Sequence, residues 1–162
     1  MVGKLVRFLI IALLLSVLGA GCDIVGHPRQ GREIGLSITE QGDVLVLYNP
    51  CVEDRVSAVR LVLVAGSVFG DEDDIVLWSM ETADPVHLEA FRIGTSVAGF
   101  LETLPLTAPL SGALGVQLFL TNGEEFDGRQ FKSDELRTGV FLNARDEYLS
   151  REAFLALDTC RL

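Results

Sequence analysis

Leu114-Gly115-Val116-Gln117-Leu118-Phe119-Leu120-Thr121, followed at once by Asn122-Gly123, is the stretch on which the reading of this chain turns. Leu114, Val116, Leu118 and Leu120 share one parity and Gly115, Gln117, Phe119 and Thr121 the other, the period of two that sends successive side chains to opposite faces of a strand. Asn-Gly tolerates the positive backbone angles of a type I′ turn, so the run predicts a hairpin whose return strand carries Phe126 and Phe131.

Working outward, the same grammar recurs upstream. Ile34 to Ile38 alternates, Gln41-Gly42-Asp43 supplies a turn, and Val44 to Tyr48 is a β-prone run that stops at Asn49-Pro50. From Val56 to Ala65, Val59, Leu61 and Leu63 share a face while Arg60 points away, which favours strand over helix. Ile75 to Trp78 forms a further short run. Val86, Leu88 and Ala90 hold one parity and Phe91 and Ile93 the other, so a single strand there needs a bulge near Ala90. Phe100-Leu101 opens another apolar piece, and Thr103 to Pro109 reads as a proline-bracketed connection. Near the C-terminus Ser150 is placed to cap a short helix running to Leu157, with Leu149 and Phe154 as its hydrophobic staple. The expectation is an all-β chain: a β-sandwich of about 7–9 short antiparallel strands, immunoglobulin-like in outline, with one short C-terminal helix, in a single domain over residues 34–162. The order Cys51, Trp78, Cys160 resembles that of antibody domains, but Cys160 lies too far beyond Trp78 for their spacing.

The N-terminus carries a different signal. Lys4 and Arg7 precede an apolar run from Phe8 to Leu18 that only Ser16 interrupts, and Leu18-Gly19-Ala20-Gly21-Cys22 closes it. About 14 uncharged residues separate Arg7 from Cys22, short of the roughly 20 that span a bilayer, so the segment suits a cleaved leader better than a permanent helix. The whole resembles the lipobox signal peptide of bacterial lipoproteins, with Gly19 departing from the pattern, whose branched apolar residue stands one place earlier here, at Leu18. The resemblance implies a signal peptide over residues 1–21 and lipidation of Cys22 by palmitate-type acyl chains, of which two suffice for stable attachment. It implies a domain on the periplasmic or exterior side of a cell membrane. Asp23 resembles the inner-membrane retention signal of enteric-type lipoproteins. Residues 22–33, with His27-Pro28-Arg29-Gln30-Gly31-Arg32, read as a tether that reaches about 35 Å when extended.

With Cys22 assigned to lipid, Cys51 and Cys160 remain, and an even pair in an exported domain is expected to form a disulfide. It would close a loop of roughly 110 residues, for which chain entropy suggests nearly 5 kcal/mol. Charge narrows the partners. The full chain has 13 basic and 23 acidic residues, and loss of Lys4 and Arg7 with the leader leaves 11 against 23. That field repels nucleic acid and anionic lipid, so no nucleic-acid partner is expected.

Catalytic patterns are sparse. Gly94-Thr95-Ser96-Val97-Ala98-Gly99 is one residue too long for a nucleophile elbow, and Ser96 reads as a turn hydroxyl. His27 falls in the tether and His87 in a strand, too far apart for a zinc pair. The strongest polar cluster is Asp71-Glu72-Asp73-Asp74, whose hard oxygens would suit Ca²⁺, but Ile75 breaks the EF-hand order and a loop of this kind is usually a solvated turn, so no metal site is expected and the four are weak candidates only. No cofactor is expected. The reading is a non-enzymatic, lipid-anchored cell-envelope protein that contacts another protein or a cell-wall component. The alternative is a small solute- or cation-binding lipoprotein, or a hydrolase assembled from distant residues such as His87 and the carboxylates of residues 71–74.

Overall fold

The computed structural model describes residues 32–66, 69–70, 72–121 and 125–157. β1 (Glu33–Ile38) and β2 (Val44–Asn49) pair antiparallel from Glu33 opposite Asn49 to Ile38 opposite Val44. Gly42, at φ +89°, makes the turn between them. The chain then crosses to a second sheet, where β3 (Val56–Leu63) lies between β4 (Ile75–Val86) and β7 (Ala113–Leu120). β5 (Ala90–Arg92) returns to the first sheet beside β2, and β6 (Leu101–Leu104) edges the second sheet beside β4. β8 (Glu125–Lys132) forms the other edge beside β7. A 3-10 turn at Ser133–Glu135 leads to β9 (Phe141–Leu142), β10 (Tyr148–Leu149) and a single short helix, α1 (Arg151–Leu155).

The result is a sandwich of two antiparallel five-stranded sheets, ordered β10-β9-β1-β2-β5 and β6-β4-β3-β7-β8. β1-β2-β5 opposite β4-β3-β7-β8 repeats the A-B-E and C′-C-F-G pairing order of immunoglobulin-type sandwiches. The antibody hallmarks are absent from their usual places, since Trp78 stands on β4 and Cys51 follows β2.

Parity decides what lies between the sheets. Ile34, Leu36, Val44, Val46 and Tyr48 of the first sheet meet Val59, Leu61, Trp78, Met80, Leu114, Val116 and Leu118 of the second, all essentially inaccessible to water. The alternating positions of β7 read from the sequence are thus the core face of its sheet. Trp78 stacks against Phe91 across the sheets, with ring centroids 6.4 Å apart. The first sheet is buried on its outer face too: Leu47, Phe141 and Phe154 form a second apolar cluster with Leu45, Ala90 and Leu149 packed against it. Ser150 caps α1 by accepting the Ala153 N–H at 3.1 Å, and Leu149 and Phe154 join the same cluster as the staple required. Gly35 makes that closure possible, because a Cβ there would sit 2.8 Å from Phe154 Cε2.

Three sequence expectations are revised. Ten strands stand among the described residues, above the expected range, because the two-residue pair β9 and β10 shows no periodicity in so short a span. Val86 to Ile93 is not one bulged strand. β4 ends at Val86 in the second sheet and β5 begins at Ala90 in the first, so the change of parity marks a change of sheet, with Leu88, Phe91 and Ile93 all buried in the shared core. β1 also begins at Glu33, inside the segment read as tether. The Asn122-Gly123 turn lies outside the described residues, while β7 and β8 pair antiparallel on either side of it. A bulge in that pair leaves no space at Gly128, where a Cβ would collide with the Val116 carbonyl.

Candidate functional site

The connection from β2 to β3 carries the most heavily bonded polar group among the described residues. Its turn is closed by the Asp54 N–H donating to the Cys51 carbonyl at 3.0 Å. The Asp54 carboxylate folds back over the turn, so Oδ2 accepts the Cys51 N–H at 2.8 Å. Tyr48 alternates onto the core face of β2 at the strand's last turn, where its hydroxyl needs a partner, and it donates to the same oxygen at 3.1 Å. Arg32, immediately before β1, completes the set. Its Nε donates to Oδ2 at 2.8 Å and its Nη2 to Oδ1 at 2.6 Å, a two-pronged guanidinium–carboxylate pair.

Only 2% of the Asp54 side chain is exposed, against 20% of Arg32. A carboxylate so buried is tolerable because four donors, two of them on the cationic guanidinium of Arg32, replace its water. Burial pushes the Tyr48 hydroxyl well above the ordinary tyrosine range, and the negative charge of Asp54 and the hydrogen bond to it push the same way. These facts decide the chemistry. Asp54 receives protons that its partners hold firmly, and Tyr48 is held in its neutral form. The other two cysteines, Cys22 and Cys160, lie outside the described residues. The cluster is a latch rather than an acid–base pair.

Beside it lies a depression of about 390 Å³ that opens broadly to solvent, lined by Arg32, Glu53, Asp54, Arg55, Leu120 and Thr121. Arg55 Nη1 donates to the carbonyls of Val52 and Asp54 at 2.9 and 2.8 Å, and Thr121 Oγ1 donates to the Arg55 carbonyl at 3.1 Å. Both arginines therefore hold the turn together.

The residues singled out in the sequence are not brought together. His87 is exposed, with Nε2 3.9 Å from Glu89 Oε1, a separation beyond hydrogen bonding. It follows β4, whereas Asp73 and Asp74 precede it. Ile75 and Val86 at its ends pair with Leu63 and Val56 at the two ends of β3, so they stand roughly 23 Å apart and the hydrolase assembly from these groups fails on distance. Ser96 is exposed in the turn after β5. Asp74 organises its loop instead, accepting the N–H groups of Ala65 and Gly70 at 3.3 and 2.8 Å. Phe69 of that loop lies over Gly115, leaving no space there for a side chain. Asp71 lies outside the described residues, and among those described no three His, Cys, Asp or Glu side chains converge on a common point for a metal ion.

Sequence reasoning missed Arg32, assigning it to the tether, and passed over Asp54. Tyr48 was the available signal, a polar tip at a core position that had to be satisfied. Nothing local pointed from Asp54 to an arginine 22 residues earlier.

Fold and site together define a β-sandwich whose chief polar cluster among the described residues fastens chain to chain. No family model, curated protein or solved structure matches the chain.

Proposed function

We propose that the protein is a lipid-anchored module of the cell envelope, attached through acylated Cys22 and facing the periplasm or the exterior, whose non-enzymatic role is to contact another envelope protein or a cell-wall component. The leader ending in Leu18-Gly19-Ala20-Gly21-Cys22 motivates the anchor. The observation that carries the reading beyond it is the Arg32–Asp54 latch. This two-pronged pair, the shortest ion pair among the described residues, sits where the chain arrives from the Cys22 side, which suits a protein held by that end.

The pairing of Cys51 with Cys160 belongs to the same proposal. Asn49 Nδ2 donates to the Leu157 carbonyl at 3.0 Å, which holds the chain just past α1 against the last residue of β2, two residues before Cys51. Three further residues, about 10 Å of extended chain, lead from Leu157 to Cys160. The bridge and the latch would then secure both ends of the domain at one pole. A surplus of acidic residues disfavours nucleic acid as the partner.

Metabolic labelling with a fatty-acid analogue tests the anchor. Incorporation is expected in the wild type and lost in Cys22→Ser, and unchanged labelling of the variant overturns the assignment. Peptide mapping of the oxidised protein should recover Cys51 linked to Cys160, and a peptide joining Cys51 to Cys22 would refute both parts at once.

A further inference from the structure

The far edge of the second sheet is stepped and open among the described residues. β6 is its terminal strand, and all four of its residues are exposed. It pairs with β4 only from Ser79 to Glu81. The leading residues of β4, Ile75 to Trp78, are bonded to β3 on one side and face no described strand on the other. Apolar side chains line this stepped edge: Leu101 is 73% exposed, Ile75 54% and Leu104 38%. Every charge on the two strands is negative, namely Glu81, Asp84 and Glu102, and Asp73 and Asp74 lead into β4.

We propose that this edge receives an extended, cationic segment of a partner protein, added as a strand with lysine or arginine alternating with apolar residues. An open edge supplies rows of backbone donors and acceptors, and side chains of a fixed period supply selectivity. Charge selects the occupant. A second copy docking edge to edge would set Glu81, Asp84 and Glu102 against their own counterparts, and like charges facing across strands destabilise pairing. A basic segment reverses that sign, while its alternate apolar residues, all on one face, cover the exposed Leu101. Glu102 ties the edge to the interior, since its Oε1 accepts the Trp78 indole N–H at 2.7 Å. Trp78 is the sole tryptophan of the chain, so its emission reports on β6. The inference stands on the edge itself and does not depend on the lipid anchor.

The test titrates the full-length protein with a short synthetic peptide alternating lysine and valine, following Trp78 emission and amide hydrogen exchange. Saturable binding is expected, with new protection in Ile75–Trp78 or Leu101–Leu104. Charge reversal at the exposed positions in Glu81→Lys/Asp84→Lys should weaken it about tenfold, which is about 1.4 kcal/mol. The same peptide with alternate backbone nitrogens methylated, which keeps its charge but removes strand hydrogen bonds, should bind at least tenfold more weakly. Equal binding of the methylated peptide, equal binding of a glutamate–valine peptide, or protection of this edge by self-association in the absence of peptide each overturns the proposal.

Discussion

Two sets of carboxylates divide the molecule. At the pole where the chain enters, Asp54 is withdrawn from water and receives two bonds from Arg32, one from Tyr48 and one from the Cys51 N–H. Along the β4–β6 edge Glu81, Asp84 and Glu102 lie on exposed positions, and the indole of Trp78 is the one described donor to any of their side chains. The same chemical group thus does opposite things. Inside, its charge is cancelled and its geometry fixed, which joins segments distant in sequence. Outside, its charge remains available, which sets what kind of surface can approach. Stability is therefore expected to be concentrated at the pole and recognition at the edge.

The largest expected effect comes from Asp54→Ala, which removes the carboxylate shared by the Arg32 guanidinium, the Tyr48 hydroxyl and the Cys51 N–H. Removing one member of a buried, hydrogen-bonded ion pair costs about 3–5 kcal/mol. Chemical denaturation should show the midpoint falling accordingly with no change in slope. A loss below about 1 kcal/mol would mean that the pole is no more critical than an exposed ion pair. Next comes Gly35→Ala, which presses a methyl group against Phe154 Cε2 at 2.8 Å and Phe141 Cβ at 3.1 Å. Overpacking of this kind costs about 1–3 kcal/mol. Combining it with Phe154→Leu should recover part of the loss if the clash with α1 is the cause.

Tyr48→Phe is expected to cost about 1.5 kcal/mol near neutral pH, through one hydrogen bond to a charged acceptor. Its pH dependence is the sharper measurement. Because the native pKa of Tyr48 is raised, chiefly by burial and then by Asp54, its contribution is fully present below the unfolded tyrosine value of about 10. The contribution drains away as pH rises from there through the native value. The wild type should therefore lose its advantage over Tyr48→Phe between about pH 9.5 and 11 in paired urea titrations. A constant difference across that interval would show that Tyr48 is not shielded as described.

Legibility in the sequence follows the range of each interaction. β7 was plain because Leu114, Val116, Leu118 and Leu120 express a local period, and α1 because Ser150, Leu149 and Phe154 are a local cap and staple. The Val86–Ile93 region showed its break of parity, but parity alone does not separate a bulge from a strand that changes sheets. The fold class was thus accessible where local chemistry repeats, and the β4–β5 crossover was not. The latch was the least legible feature, since Arg32 and Asp54 meet only after β1 and β2 have paired. In the acidic run Asp71-Glu72-Asp73-Asp74, composition does not tell which carboxylate serves the loop itself, and it is Asp74 that turns to the backbone of its own loop.

The smallest expected effect is the most discriminating for the contrast between pole and edge. Leu101→Ser removes an apolar side chain that is already 73% exposed and belongs to the edge strand of its sheet. Folding transfers little of that side chain out of water, so its replacement should shift stability by no more than about 0.5 kcal/mol. The same substitution should weaken any partner that covers the edge, because the apolar area it contributes is buried only in the complex. If denaturation midpoints instead fell by more than about 1 kcal/mol, Leu101 would have to be covered within the protein itself. The β4–β6 edge would then be part of the folded interior, and the division between a fastening pole and a receiving edge would collapse.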